Sequence, residues 1–262
     1  MEPQNRREPP LLPVILAAGI GSRLGGSPKA LFSIRGRALV DYCIDALAEQ
    51  GFRRAVLVTG HRAADVRAHL EDAPLKCAFV HNDRFDDLNN FYSVRRAIED
   101  SGGNTLLIVN CDVLFLESAV VAAIAVSAAA LGLLVEQGVN DAEAMKVEVE
   151  HGSVVRLSKG IPPERAFGEF VGISTLAPVA QREYVAAADE ALRAGTTHLY
   201  YEDVYSRICR NVDSRIAAIE PGEWAEVDAP HDVPAAMCVA ERRSAANGPS
   251  TMATPTSTIA TA

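Results

Sequence analysis

VILAAGIGSRLGGSPKALFSI, residues Val14 to Ile34, passes from an apolar run straight into glycines, one arginine and one lysine, with little bulk between them. The run Val14–Ala18 reads as a buried strand. Glycine permits tight turns and close backbone approach. Free backbone N–H groups with cations beside them suit an anion. Two familiar phosphate loops do not fit. A dinucleotide fingerprint needs a third glycine where this chain has Leu24. A P-loop needs lysine directly after the second glycine, but Ser27 follows Gly26, and Lys29 comes two residues late behind Pro28. The ingredients are those of a triphosphate loop in a different layout. Glycines would let the backbone wrap the phosphates, and Arg23 and Lys29 would offset charge as a leaving group departs.

Outward from this stretch, strand-like and helix-like segments alternate. Expected strands lie at Ala55–Thr59, Lys76–His81 and Thr105–Asn110, and expected helices at Leu39–Gln50, Ala63–Leu70, Tyr92–Glu99 and Phe115–Ala130. That order predicts an α/β fold, a doubly wound, mostly parallel Rossmann-like sheet with helices on both faces. Beyond it the pattern changes. Met145–Glu150 and Ser153–Ser158 alternate around His151-Gly152 as a hairpin, and Gly168–Thr175 is a further strand. Helices follow near Pro178–Ala194 and Tyr200–Asn211, then a short strand at Arg215–Ile219 and a last helix near His231–Arg243. This second part predicts a small mixed sheet with helices laid over the edge of the first. The expected organisation is a loose arm over 1–12, one domain over 13–243, and a charge-free, Ser/Thr/Ala/Pro-rich disordered tail over 244–262. Within the domain the change of pattern divides 13–140 from 141–243.

The chain has 262 residues, 48% of them apolar, enough for a sizeable core. Its 25 basic and 34 acidic residues give a formal net charge of −9, which argues against a general nucleic-acid or anionic-membrane binder. The five cysteines form no C-x-x-C pair, and a reducing, cytoplasmic setting is expected. The polar N-terminus carries no signal-like core, and the apolar stretch Ala119–Val135 falls short of the roughly 20 residues that span a bilayer. Cys111, in an apolar run, reads as packing rather than as a nucleophile.

In open α/β sheets ligands bind beyond the carboxyl ends of the strands. Asp112 stands there, after the run Leu106–Cys111. A carboxylate at that exit suits a hard cation such as Mg2+; the plainer alternative is a helix N-cap. In Trp224-Ala225-Glu226-Val227-Asp228 an extended backbone sets Glu226 and Asp228 side by side on one face. Two such carboxylates repel unless a cation or proton intervenes, and again a cap before Pro230 is the alternative.

Leu16-Ala17-Ala18-Gly19-Ile20-Gly21-Ser22-Arg23-Leu24 followed by Pro28-Lys29-Ala30-Leu31 resembles the signature of the nucleotidyltransferase superfamily. Its members couple a nucleoside triphosphate to a phosphorylated acceptor and release pyrophosphate. The resemblance implies that Leu16, Ala17, Ala18, Gly19, Gly21 and Ser22 bind the nucleotide, that Arg23 and Lys29 are catalytic, and that Asp112 and Asp228 hold Mg2+. Glu226 then stands beside them toward the acceptor, and the resemblance makes 13–140 the nucleotide-binding part and 141–243 a small mixed β/α acceptor-binding part.

Asn89-Asn90-Phe91-Tyr92-Ser93 resembles the N-N-x-Y-S motif of the choline-phosphate cytidylyltransferase branch, with His81-Asn82-Asp83 ahead of it at a similar distance. Leu199-Tyr200-Tyr201-Glu202-Asp203 and Glu226-Val227-Asp228 with His231-Asp232 resemble further stretches of that branch. Asn82, Asn90 and Ser93 are then expected at the nucleotide, and Tyr92, Tyr200, Tyr201 and Glu202 at the acceptor. Plainer readings make Asn89 or Asn90 a cap, and pack one tyrosine in the core while the other stays exposed. Met145-Lys146-Val147, Ser158-Lys159-Gly160 and Gly168-Glu169-Phe170 resemble relatives acting on inositol phosphate or phosphonates. Lys146 and Lys159 would meet an acceptor phosphate or phosphonate, unless they are solvated strand lysines, and Glu169 joins the acceptor set. The loop between Leu24 and Pro28 is shorter than in many of these enzymes. The expectation is a Mg2+-dependent cytidylyltransferase using CTP and a small phosphorylated or phosphonate acceptor, phosphocholine-like compounds first. No nucleic acid or membrane partner is expected, and a homo-oligomer is compatible with it. The alternatives are a sugar-1-phosphate nucleotidyltransferase using UTP or dTTP and a catalytically inactive nucleotide-binding regulatory module. An NAD-dependent oxidoreductase is weakened by Leu24.

Overall fold

A computed structural model describes residues 10–138 and 142–246. In chain order the first part comprises β1 (Leu11–Ala17), β2 (Ser33–Ile34), β3 (Arg37–Ala38), α1 (Leu39–Glu49), β4 (Arg54–Thr59), α2 (Ala63–His69), β5 (Lys76–His81), α3 (Phe91–Glu99), β6 (Thr105–Asn110), β7 (Val113–Phe115) and α4 (Glu117–Val126). The second comprises β8 (Leu131–Gln137), β9 (Lys146–Glu150), β10 (Ser153–Ser158), β11 (Gly168–Leu176), α5 (Pro178–Arg193), α6 (Tyr201–Ile208), β12 (Ser214–Ile219), β13 (Trp224–Glu226) and α7 (Val233–Ala246). The expected arm gives Leu11 and Leu12 to β1, and the expected tail gives its first residues to α7. The rest of both, 1–9 and 247–262, lies outside the described residues.

The central sheet has nine strands among the described residues and is parallel in the half built from the first part of the chain, in the order β6-β1-β4-β5. Period-two alternation along β1 divides the core. Ile15 and Ala17 face a layer built on α1, α2 and α4, while Val14 and Leu16 face one built on α3, α5 and α6. Both layers bury apolar side chains almost completely, which is why the strands read as continuous apolar runs. Parallel register brings the strand exits together: Leu16 pairs with Asn110, Ala17 with Thr59, and Thr59 with His81. The loops after β1, β4, β5 and β6 therefore meet at one edge.

The second part adds β11 antiparallel to β6, with β8 and β12 to one side and the β9–β10 hairpin to the other. The pairing of β11 breaks between Phe170 and Ser174 around Gly172, whose φ is +76°. A Cβ there would lie 2.8 Å from the Asn110 amide, so only glycine fits.

One expectation is corrected. The helix predicted over Phe115–Ala130 is shorter, because Val113–Phe115 forms β7, an antiparallel ribbon with β13. Leu114 and Val227 are fully buried in a third cluster beneath α7, each worth roughly 1.5–3 kcal/mol of apolar burial. Ribbon pairing between segments more than a hundred residues apart leaves no local signal.

Candidate active site

At the gathered strand exits lies a cavity of about 1090 Å3. One wall is the glycine loop. Its backbone folds on itself: Leu24 N–H donates to the Gly21 carbonyl (2.9 Å), and Lys29 N–H to the Gly19 carbonyl (3.3 Å). Gly21 has φ +64°, and a Cβ on it would sit 2.7 Å from the Ser27 carbonyl oxygen. Leu24, the residue that breaks the dinucleotide fingerprint, packs against the third core cluster and anchors the loop. Leu16, Ala18, Gly19, Gly21, Ser22 and Arg23 line the cavity. Ala17 does not; strand alternation turns it into the opposite core layer.

The floor is acidic around one lysine. Lys29 Nζ contacts both Asp112 Oδ2 and Asp228 Oδ1. Burial by itself would lower the Lys29 pKa, but the charges and hydrogen bonds of Asp112 and Asp228 outweigh it and raise it. Asp112 and Asp228 meet because the β7–β13 ribbon is extended by Val227 N–H donating to the Asp112 carbonyl (2.9 Å). Neither carboxylate caps a helix. Leu116 occupies the cap position of α4, and Asp232 accepts the N–H groups of Asp228 (2.9 Å) and Ala229 (2.8 Å).

Carboxylate oxygens of Asp112, Glu226 and Asp228 lie within 4.8 Å of one another, and Asp112 Oδ1 is buried with no hydrogen-bond partner. An orphaned carboxylate oxygen inside an all-oxygen donor set fits a hard divalent cation such as Mg2+. Desolvation, then the Asp112 and Asp228 charges, push Glu226 up to about 8.

The wall after β5 carries Asn82, Ser93 and Asn90. Asn82 Nδ2 donates to Ser93 Oγ (3.0 Å) and its Oδ1 accepts the Arg84 N–H (2.9 Å), so this pair is locked. Asn90 holds the cap position of α3, but its Oδ1 accepts the N–H of Tyr201 (2.9 Å) instead of capping. Tyr92 is off the cavity, under the Arg95 guanidinium at 5.9 Å.

The far wall comes from the second part of the chain. Tyr200 is 43% exposed and lines the cavity, whereas Tyr201 is fully buried and donates its hydroxyl to Asn110 Oδ1 (3.1 Å). Glu202 is buried on the cavity wall with Oε2 unpartnered, and burial raises its pKa to about 8. Glu169 also lines the wall. The expectation for Lys146 changes. Its side chain is buried off the cavity, and Nζ donates to the carbonyls of Lys159 (3.0 Å), Ala142 (3.4 Å) and Ala144 (3.5 Å). Lys159 is the lysine on the wall, 3.4 Å from Glu143 and 6.0 Å from the centre of the Tyr200 ring.

Several lining residues carry no functional signal of their own in the sequence, Asn110 and Phe85 among them. Asn110 sits two residues before Asp112, on the same strand exit, and period-two spacing from Asp112 was the signal for it. Phe85 packs so closely over Gly60 that a Cβ there would lie 2.6 Å away. His61, beside it, reaches the Gly26 carbonyl through Nε2 (3.1 Å) and braces the glycine loop. Nothing local marks either. Cys111 is buried and its thiol pKa is pushed well up by burial, as suits packing.

No helix among the described residues is long and apolar enough to cross a membrane. Residues 13–154 match the family described as the MobA-like NTP transferase domain. The bifunctional protein GlmU of Streptomyces griseus subsp. griseus is 32% identical over 168 residues, 62% of this chain and 30% of that protein. The choline-phosphate cytidylyltransferase of Streptococcus pneumoniae is 34% identical over 85 residues, 31% of this chain and 36% of that protein. The chain thus spans only 30% and 36% of the length of these curated relatives. The inositol-1-phosphate CTP transferase from T. maritima shares the fold, with a TM-score of 0.75 at 21% identity over 90% of this chain and 98% of that one.

Proposed function

This chain belongs to the MobA-like NTP transferase family, and from that premise we propose that it is a Mg2+-dependent cytidylyltransferase. It would transfer CMP from CTP to a small phosphorylated or phosphonate acceptor, phosphocholine-like compounds first. The observation that carries this reading is the cavity floor, where Lys29 and the orphaned Asp112 oxygen stand between the glycine loop and the Tyr200–Glu202 wall. Cytidine is named for two of the relatives above.

An oxygen of the acceptor phosphate attacks the α-phosphorus. An O–P bond forms, the bond to the β-phosphate bridging oxygen breaks, and pyrophosphate leaves with that electron pair. The glycine loop, Arg23 and Lys29 bind the triphosphate and take up the charge that grows on the leaving group. Asp112 and Asp228, with Glu226 beside them, would hold Mg2+, which supplies charge neutralisation and alignment when bound. No side chain has to form a covalent intermediate.

At the acceptor end, the exposed Tyr200 ring favours an amine or quaternary ammonium, one cation–π contact being worth roughly 0.5–2 kcal/mol, and the unpartnered Glu202 oxygen adds a neutral polar contact beside it. Lys159 supplies a charge for the acceptor's phosphate. The test crosses CTP, UTP, dTTP, ATP and GTP with phosphocholine, phosphoethanolamine, 2-aminoethylphosphonate, inositol phosphate and glucose-1-phosphate, and measures pyrophosphate release with Mg2+. Release with CTP and a small acceptor is expected. Release only with UTP or dTTP and glucose-1-phosphate would reassign the chain to sugar activation. CTP binding without release would make it an inactive nucleotide-binding module.

A further inference from the structure

Lys29 touches the same two carboxylates that the candidate cation site depends on. Its ammonium contacts Asp112 Oδ2 and Asp228 Oδ1, and those residues with Glu226 make up the cluster whose oxygens lie within 4.8 Å of one another. A divalent cation entering this cluster would meet a positive charge already at two of its ligands. Both cannot sit close together on the same oxygens without repulsion, and this repulsion is strong where water is partly excluded; the Lys29 side chain is only 14% exposed.

The lysine is also tied to the loop that faces the phosphates. Its backbone N–H donates to the Gly19 carbonyl (3.3 Å), and a Cβ added to Gly21 would lie 3.2 Å from its Cα, so the two loop segments run close together. A triphosphate seated on Gly19–Arg23 therefore brings a dense negative charge beside the Lys29 stem. The ammonium is flexible enough to turn from the carboxylates to the phosphates.

We propose that Lys29 is an internal counter-ion: it holds Asp112 and Asp228 together, keeps free divalent cations out of their cluster, and yields that cluster when a triphosphate draws it away. The metal then enters with the triphosphate, not ahead of it. This rests on the metal-dependent reading above, and adds to it an order of binding set by a side chain of the site itself.

The test is binding of Mn2+ alone, without nucleotide, followed by electron paramagnetic resonance of the free ion, in the wild-type chain and in Lys29→Met and Lys29→Gln. Removing the ammonium is expected to tighten Mn2+ binding by at least about tenfold. Equal or weaker binding in folded variants overturns the proposal, because the lysine is then no competitor. Failure of every form to bind Mn2+ alone also overturns the proposal, because the cluster then holds no cation for Lys29 to exclude; the metal dependence of the proposed reaction is read separately, from pyrophosphate release with and without Mg2+, so the two failures are distinct. A measurement on the wild type guards against misfolded variants. The side-chain NMR signal of Lys29 is expected to move with the same midpoint as Mg2+ binding, and Mg2+ binding that leaves it unmoved also overturns the proposal.

Discussion

Tyr201 donates its backbone N–H to the side-chain carbonyl of Asn90 across 2.9 Å, tying the first turn of α6 to the start of α3. One of the N–H groups that a helix start leaves open is thus satisfied from another element. The next residue on α6 is Glu202, so the bond sets where the cavity wall proposed for the acceptor stands. Asn90→Ala is expected to cost about 1 kcal/mol of stability and to raise the acceptor KM more than the CTP KM. Asn90→Asp, which keeps the accepting oxygen, is expected to lose less stability. Urea melts and steady-state kinetics on both variants check this.

Asp112→Asn and Asp228→Asn remove the charges on either side of Lys29. Each is expected to lower kcat by at least about a hundredfold while the chain stays folded. Full activity in Asp228→Asn would remove that residue from the metal-binding role. Pyrophosphate release and far-ultraviolet circular dichroism read the two effects separately.

Gly21→Ala is expected to abolish activity without unfolding the domain. The left-handed backbone and the Ser27 carbonyl 2.7 Å from an added Cβ force the loop to move, while the core beneath it is untouched. Retained CTP binding, measured by calorimetry, would contradict this.

Lys146→Met is expected to act on stability more than on chemistry. The substitution leaves the carbonyls of Ala142, Ala144 and Lys159 without their shared donor, a loss of about 1–3 kcal/mol. Lys159→Met, on the cavity wall, is expected to leave the urea midpoint nearly unchanged and to raise the acceptor KM. Reversal of these two phenotypes would return the acceptor role to Lys146.

Glu202 is protonated up to about pH 8 in the folded chain because burial penalises its charge, against an ordinary value of 4.5. Between those limits the folded state holds a proton that the unfolded state has released. The contribution of this residue is thus fully present below pH 4.5 and is lost as pH rises toward 8. Glu202→Gln, which cannot ionise, is expected to gain stability relative to wild type on going from pH 5 to pH 8, by up to a few kcal/mol. A difference between the two urea-derived stabilities that does not change with pH would show that Glu202 is already ionised in the fold.

The sequence determined a good deal without help. The apolar run into Gly19 and Gly21, the alternation of strand and helix, and an aspartate at the exit of the strand ending at Asn110 are local patterns, and local patterns follow from backbone sterics and periodic burial. They predict a doubly wound sheet with a phosphate loop at its carboxyl edge. The Asn89–Ser93 and Tyr200–Asp203 stretches were also visible, but only as motifs. Which tyrosine faces the cavity, and that Lys146 is buried while Lys159 lies on the wall, were not legible, because a side chain's direction depends on what packs behind it.

Tertiary structure alone decided the floor of the site. Asp112 and Asp228 stand more than a hundred residues apart and meet only because β7 and β13 pair and Val227 donates to the Asp112 carbonyl. Lys29 reaches both because Gly21 folds the loop back beneath it. Contacts of this kind depend on pairing between distant segments, which no window of neighbouring residues encodes; sequence fixes which groups are available, and the closing of long loops fixes which of them share a charge.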